Sequence, residues 1–335
     1  LKNICNGKIM KKNDVTVIIP NYNGIKFLDK CINALKLQTY KNFDILVVDN
    51  ASKDGSVEWL KENKIESIFL EENLGFAGGV NVGLRKCDSE FVILLNNDTE
   101  VFPDFVEELL KAIKKSKKIF SVNPMMLQMN NKELMDDAGD GICILGWAFQ
   151  IGVGENKRNY QKSREIFSAC AGASIYRKSV LDKIGYFDEL HFAYLEDIDL
   201  GYRARLFGYK NVYEPRARVY HYGSGTSGSK YNSFKVKLAA RNNIYLHYKN
   251  QCTLQLIINA LFLLLGIIIK AIFFYRKGFL SDYIYGCKEG MIKCIDCKRV
   301  DSSKVSVLRY VAVEVQMIVG MFEYVLHFIN RRLGR

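Results

Sequence analysis

Phe91-Val-Ile-Leu-Leu95 runs without transition into Asn96-Asn-Asp-Thr99. Val92, Ile93 and Leu94 form the centre of an apolar run that reads as a strand buried inside a parallel sheet. The short amides and acid after it then fall at the carboxyl edge of that sheet, where open α/β folds keep their ligands. A lone carboxylate among amides suits Mg²⁺ or Mn²⁺ shared with a ligand's phosphates, because such ions prefer oxygen donors and bring substrate oxygens along. Taken alone the triplet is a turn first and a ligand edge second, since Asn and Asp commonly follow strands. Its surroundings decide between the two.

Upstream, Val15–Pro20, Asp44–Asp49 and Ile65–Leu70 are further β-branched runs and read as strands. Between the first two, Phe27, Leu28, Cys31, Ile32 and Leu35 mark one apolar face of a helix. Ser52 or Asp54 is placed to cap a helix through Trp59 and Leu60, and the Gly-rich loop 72–79 opens a helix over 80–85. Strand and helix alternate at βαβ spacing, which predicts right-handed crossovers and a mostly parallel sheet flanked by helices. Downstream the pattern predicts a helix over 103–118, a strand over 167–176 and helices over 179–184 and 196–207. Short strands follow at 212–214 and 217–221, with a flexible Gly/Ser loop at 223–228. The segment 124–164 is Met-rich, Gly-rich and weakly patterned around Trp147.

The formal net charge of +12 is unevenly held. From Lys230 to Arg335 there are 17 Lys and Arg against 6 Asp and Glu, leaving 31 against 30 before it. A near-neutral body with a basic tail points to a membrane surface or a polyanion as the tail's partner; no nucleic-acid partner is expected. Leu254–Tyr275 is overwhelmingly apolar and close to the roughly 20 residues a spanning helix needs, with Gln255, Asn259 and Lys270 against it. Over Ser306–Asn330 the polar positions Arg309, Gln316, Gly320, Glu323, His327 and Asn330 recur at helical spacing, as in a helix lying in an interface beside Arg331, Arg332 and Arg335. The domain division implied is 10–229 for a catalytic unit, its nucleotide-binding half ending near 123, and 230–335 for a basic, apolar helical region. Nine scattered cysteines and no apolar stretch in Leu1–Asn13 fit reduced thiols on the cytoplasmic side. Cys294-Ile-Asp-Cys297 lacks a second pair, so it does not read as a zinc site. Met10 resembles a natural start, with Leu1–Ile9 a dispensable leader.

The residues at the strand ends converge on one sheet edge. Pro20, Tyr22, Asn23, Asp49, Asn50, Asn81 and Asn97 are the candidate nucleotide-binding residues: Asp49 can accept the imide N–H of a uracil or thymine while a tyrosine stacks on the base. Neither GxGxxG nor GxxxxGK[ST] is present, which excludes the usual dinucleotide and P-loop cradles. A second constellation is Tyr194-Leu-Glu-Asp-Ile-Asp199. Three carboxylates at a helix start are favoured by its dipole, but adjacent Glu196 and Asp197 point different ways, so one can support while the other reaches an acceptor hydroxyl as general base. His221, at a strand end, is a candidate metal ligand.

These motifs, in order, resemble family 2 glycosyltransferases of GT-A fold: Ile18-Ile-Pro-Asn-Tyr-Asn-Gly24, Val48-Asp-Asn-Ala-Ser-Lys-Asp-Gly-Ser56, Asn73-Leu-Gly-Phe-Ala-Gly-Gly-Val-Asn-Val-Gly83 and Leu95-Asn-Asn-Asp-Thr-Glu100. Gly185-Tyr-Phe-Asp-Glu189, Glu196-Asp-Ile-Asp-Leu200, Gly208-Tyr209 and His221-Tyr-Gly-Ser-Gly-Thr-Ser227 resemble its rhamnosyltransferase-like branch. The resemblance implies an inverting, divalent-metal-dependent transfer of a sugar, L-rhamnose from dTDP-L-rhamnose first and a UDP-hexose or UDP-galactofuranose second. The acceptor would be a glycan or lipid-linked glycan at the cytoplasmic face of the membrane. It implies Asp197 as base with Glu196 and Asp199 supporting, Asp98 and His221 as ligands of Mg²⁺ or Mn²⁺, and Asp49 reading the nucleobase. Asn96 stands where a DxD motif would begin with Asp, which makes a second ligand more necessary. Trp147 is a candidate acceptor-stacking residue and equally a core residue. The competing classes are a sugar nucleotidyltransferase, which would carry a basic Gly-rich loop after the first strand, and an inactive glycan-binding membrane protein, which would not need both Asp98 and Asp197.

Overall fold

The computed structural model describes residues 13–223 and 231–333. The proposed leader, the Met10 start and most of the Gly/Ser loop after Gly223 lie outside them. The chain begins with β1 (Val15–Asn21), α1 (Ile25–Lys36), β2 (Phe43–Asp49), α2 (Ser56–Glu62), β3 (Ser67–Phe69), α3 (Gly75–Lys86) and β4 (Phe91–Leu94). β1 pairs in parallel with both β2 and β4, and β2 with β3. Alternate residues of β1 serve opposite layers. Val15, Val17 and Ile19 pack with Leu28, Cys31, Ile32 and Leu35 of α1, whereas Ile18 packs with Val80 and Leu84 of α3. Burial on both faces is why these strands read as continuous apolar runs.

α3 starts five residues earlier than the sequence pattern indicates. Asn73, one residue before the N-cap Leu74, satisfies the first helical N–H, its Oδ1 accepting from Gly75 N at 2.9 Å. Gly83 lets the helix approach the sheet, since a Cβ there would press on Ile18 and Val48. At α2 the N-cap is Gly55, without a side-chain cap; Asp54 stands one residue before it, its Oδ1 accepting from Ser56 N at 3.1 Å, and Ser52 is engaged by Asn23 N at 2.8 Å.

The second part comprises β5 (Thr99–Val101), α4 (Phe105–Lys114), β6 (Ile119–Gln128), β7 (Met135–Asp137), β8 (Asp140–Ile142), β9 (Ala148–Gln150), β10 (Arg164–Ile166), β11 (Ile175–Arg177), α5 (Lys178–Ile184), α6 (Glu196–Leu206) and β12 (Lys210–His221). The main sheet runs β10-β12-β6-β11-β4-β1-β2-β3, with β5 on β12 and β7 on β6, while β8 and β9 form a separate hairpin. It continues without a break past residue 123. β6 was hidden in the sequence because Asn123-Pro124-Met125-Met126 lacks β-branched residues, yet its central place between β11 and β12 buries nine of its ten residues. Of the strand expected over 167–176 only Ile175 and Tyr176 are in a strand, β11, and β10 ends before the span begins; the backbone between them turns to serve other partners, Gly172 O accepting from Asn96 N at 2.7 Å and Cys170 N donating to Asn123 Oδ1 at 2.8 Å. The two short strands expected at 212–221 are one strand, β12, interrupted by a register shift between Glu214 and Arg218, around Pro215.

Four helices complete the chain: α7 (Ser233–Asn250), α8 (Thr253–Arg276), α9 (Leu280–Lys293) and α10 (Val307–Leu333). α7 opens the segment assigned to the tail but is tied into the catalytic unit. Its Leu246 shares a core with Ile198, Tyr202 and Leu206 of α6. α8 and α10 have inverted burial. The residues of α8 that count against a spanning helix form its inward stripe: Gln255 donates to Tyr310 O at 3.1 Å and to Glu314 at 2.8 Å, and Asn259 donates to Glu314 at 3.1 Å. Gly266 and Gly320 face backbone carbonyls of the β8–β9 hairpin, Leu145 O and Ile142 O, where any Cβ would overlap. On α10, His327 Nδ1 meets Glu155 at 2.6 Å. The outward faces are apolar and exposed, among them Leu261, Leu264, Leu308, Val311, Val315 and Phe322. The polar stripe of α10 thus faces the protein rather than a headgroup layer. Among the described residues these two helices are long and apolar enough to cross a membrane.

Candidate active site

The carboxyl ends of β1, β2 and β4 meet as expected. Asn21, at the end of β1, is the hub: it donates to Asp49 Oδ2 at 2.8 Å and accepts from Asn97 Nδ2 at 2.6 Å. Asp49 also accepts from Ser52 N at 2.9 Å, which fixes its carboxylate. Tyr22 is exposed at the mouth of this edge, and Asn23, in left-handed backbone (φ 50°), accepts from Lys53 N at 2.8 Å. Pro20 sits in β1 beside Val48.

Asn50 and Asn81 are otherwise engaged. Asn50 donates to Asn73 Oδ1 and Gly75 O and accepts from Leu74 N, each at 2.9 Å. Asn81 donates to Phe187 O and Glu189 at 2.8 Å and accepts from Phe187 N at 3.1 Å. With both ends of their amides taken, these two pin loops rather than present themselves to a ligand.

Asp98 and His221 come together although 123 positions separate them. Their approach is 3.3 Å from Nε2 to Oδ1, and Nδ1 of the same ring meets Asp136 Oδ2 at 2.7 Å. β5 delivers one and the end of β12 the other, because Thr99 and His221 are register partners. Burial works against charge on this imidazole, but the hydrogen bonds to Asp136 and Asp98 outweigh it and raise its pKa to about 10. Among the described residues no group of three or more His, Cys, Asp and Glu forms a ready metal cage. Asp98 and His221 could hold a metal as two ligands, the imidazole fixed by an outer carboxylate, in a pattern suited to an ion that completes its shell with substrate oxygens.

Asp197 lies at the first turn of α6, partly open, accepting from Ala171 N at 3.3 Å through Oδ2. Burial raises its pKa despite the backbone donors. Glu196 beside it is buried with Oε2 enclosed and unpartnered, and burial and the Asp197 charge push its carboxyl well up. Asp137 and Asp140, on the hairpin side, are raised by burial and by neighbouring carboxylates including Asp197. Four carboxyls in one buried neighbourhood cannot all ionise freely. Sequence reading missed Asp136, Asp137 and Asp140; the signal available was the run Asp136-Asp-Ala-Gly-Asp-Gly141 just ahead of the apolar Ile142–Leu145.

Asp199 is fully buried. Lys249 at 2.9 Å, Arg203 at 2.9 Å and Asn250 at 2.7 Å surround it. Burial alone would raise its pKa, but Lys249 and Arg203 hold it far below the usual carboxylate range. The loop entering α6 is strained: Phe192, Tyr194 and Leu195 have φ of 61°, 71° and 67°, conformations that cost energy in non-Gly residues. Asn242 of α7 clamps it, Nδ2 lying 2.8, 2.9 and 2.8 Å from the carbonyls of His191, Ala193 and Tyr194.

Trp147 is not in the cleft. Its ring is buried between α8 and α10, with Nε1 donating to Gly266 O at 3.2 Å and Tyr324 packed edge-on. No face of it is open for a sugar.

The model of Glycosyl transferase family 2 matches residues 16–185, half of the chain. The chain belongs to this family. Its fold is GT-A. Similar proteins include glycosyltransferase GlyA of Streptococcus pneumoniae, 37% identical over 30% of this chain and 15% of its own. The poly-β-1,6-N-acetyl-D-glucosamine synthase of Staphylococcus epidermidis is 24% identical over 61% of this chain and 48% of its own. The low-salt glycan biosynthesis hexosyltransferase Agl10 of Haloferax volcanii is 26% identical over 61% and 65%. The chain therefore spans less than two thirds of each. In solved structures, S. aureus TarS 1–349 matches with a TM-score of 0.53 at 17% identity, covering 96% of this chain and 92% of that one. GalNAc-T7 with UDP, GalNAc and Mn²⁺ matches with a TM-score of 0.58 at 16% identity, covering 71% and 48%.

Proposed function

We propose that the protein is an inverting, divalent-cation-dependent glycosyltransferase that extends a surface glycan at the cytoplasmic face of the membrane. The observation that carries this reading is the juxtaposition of Asp98 with His221, whose ring is braced by Asp136, on the sheet edge that also holds Asp49, Asn21 and Asn97. Asp98 and His221 Nε2 would hold Mg²⁺ or Mn²⁺, and Asp136 keeps the ring in the tautomer that leaves Nε2 for the ion. The ion supplies neutralisation of the departing diphosphate. Asp49 accepts from the nucleobase and Tyr22 covers it. Asp197 takes the proton of the acceptor hydroxyl as that oxygen attacks the anomeric carbon, and its partial burial moves its affinity for that proton toward working pH. The solved structures bound to UDP or Mn²⁺ support this use of the fold.

L-Rhamnose from dTDP-L-rhamnose is favoured by the motifs of residues 185–227; the alternative is a UDP-hexose. Transfer or hydrolysis assays with dTDP-L-rhamnose, UDP-galactose, UDP-galactofuranose and UDP-N-acetylglucosamine separate them, and turnover with UDP-sugars alone refutes rhamnose. The tail is proposed to bind the membrane by lying in its plane. α10 packs on the folded body from Tyr310, which shares a core with Ile142, Phe167 and Ile198, to His327, which meets Glu155, some 25 Å of helix, so that length cannot also be enclosed by lipid. The outward apolar faces of α8 and α10 and the basic excess of residues 230–335 support insertion into an anionic surface.

A further inference from the structure

A second cavity lies away from the catalytic edge, between the β8–β10 side of the body and α10. Its volume is about 150 Å³, and its wall includes Gly141, Ile142, Arg164, Phe167, Gln316 and Glu323. This is below the size of a drug-like pocket and suits a single sugar ring. Three polar atoms on its wall side chains are enclosed without a hydrogen-bond partner: Arg164 Nε, Arg164 Nη2 and Gln316 Oε1. The two nitrogens form one edge of a guanidinium, a fork of parallel donors. Native structures rarely leave such groups unmatched, because each enclosed orphan costs about 1–3 kcal/mol. Arg205, also on the wall, is committed to Glu165 at 3.0 Å and to Phe167 O at 2.9 Å.

We infer that this cavity is a secondary glycan subsite that takes one hydroxyl-rich sugar residue. A hydroxyl both accepts and donates, so a vicinal diol satisfies the Arg164 fork while a neighbouring hydroxyl donates to Gln316 Oε1 or Glu323. A phosphate would satisfy the fork but set its own negative charge against the Glu323 carboxylate on the same wall. The subsite is linked to the catalytic centre through shared elements. Arg205 is eight residues from Asp197 on α6, about 12 Å along the axis, and Ser168, next to Phe167, donates to Asp197 O at 2.7 Å. A sugar held there belongs to a part of the glycan remote from the reacting hydroxyl. The inference rests on the glycosyltransferase reading and adds to it.

Saturation-transfer NMR on the full-length, detergent-solubilised protein tests it, with the methyl glycosides of L-rhamnose, D-galactose and N-acetyl-D-glucosamine as probes. At least one glycoside binds the wild type, and Arg164→Met and Gln316→Leu, from opposite walls, each weaken it about tenfold. Gln316→Leu removes an enclosed orphan oxygen, so its Tm stays at or above the wild-type value and separates lost binding from lost folding. Undiminished binding to both variants overturns the proposal, as does no glycoside binding to the wild type. Displacement of the glycoside by inorganic phosphate from the wild type but not from Arg164→Met would make this an anion site and overturn it too. Donor hydrolysis on the same samples reads the catalytic centre independently: turnover without glycoside binding sinks only the subsite, and binding without turnover sinks the reaction.

Discussion

The sheet and the pair α8 and α10 sort their residues in opposite ways. In β1, β2 and β4 apolar side chains fill both layers and the polar ones gather at one edge, where Asn21, Asp49 and Asn97 bond to each other. In α8 and α10 the polar and small residues, Gln255, Asn259, Gly266, Gly320 and His327, point at the protein and the apolar ones point away. One rule, burial of apolar surface away from water, gives both patterns if the helices' outer neighbour is lipid. A polar position in the sheet marks the site of chemistry, and a polar position in these helices marks a seam between tail and body.

The largest effect expected on the catalytic side is at Asp199, where the seam and the site meet. Asp199→Asn leaves Lys249 and Arg203 without their buried carboxylate and costs about 3–5 kcal/mol, read as a fall in Tm. Because the folded carboxyl is held below its unfolded value near 4, its contribution is complete above about pH 4 and disappears as pH falls toward the folded pKa. The wild-type advantage over Asp199→Asn should shrink on acidification through that range. A variant as stable as wild type at pH 7 would remove α7 from the catalytic unit.

Next is the clamp on the strained loop. Asn242→Ala takes the Nδ2 donor from the carbonyls of Ala193 and Tyr194, leaves His191 O with Arg241 and Ala193 N, and lets the first turn of α6 shift. We expect kcat to fall about 100-fold, the size of a 1 Å misplacement, with donor affinity, measured by calorimetry, retained. Equal loss in donor affinity would place the effect elsewhere. Asp136→Asn should weaken Mn²⁺ activation by about 10–100-fold, the usual range for an outer partner of a ligating histidine, read from the metal dependence of turnover. An unchanged metal dependence would dissociate Asp136 from the ion. Smallest is the outer face: Phe322→Ser should reduce partition onto anionic vesicles about tenfold with Tm unchanged, whereas Val313→Ser, on the buried face, should lower Tm with partition unchanged. Reversed outcomes would invert the seam.

The contrast also explains what could be read without coordinates. β1 to β4 were legible because two-sided burial writes each strand as an apolar run, and the approach of Asp98 to His221 because both stand at strand ends on one sheet edge. β6 was not, because its burial comes from neighbours contributed by residues 175–177 and 210–221, which no local pattern records. Asp136, Asp137 and Asp140 were hidden by the same weakly patterned stretch. Asn50 and Asn81 had the right type and place for a ligand, but their partners, Asn73, Gly75 and Phe187, depend on tertiary contact. Trp147 went to the seam because Gly266 permits close approach of α8, which a window of sequence around Trp147 does not contain.

Single-turnover transfer by Asp197→Asn, with donor binding measured in parallel, tests the central claim most directly. The account predicts a drop of about 100- to 10,000-fold in the chemical step with donor and Mn²⁺ affinity intact. It also predicts that the wild-type rate rises with pH through an inflection above the ordinary carboxylate range, because burial raises the Asp197 pKa and only the ionised base can take the proton. Transfer by Asp197→Asn at the wild-type rate, with the same inflection, would contradict it.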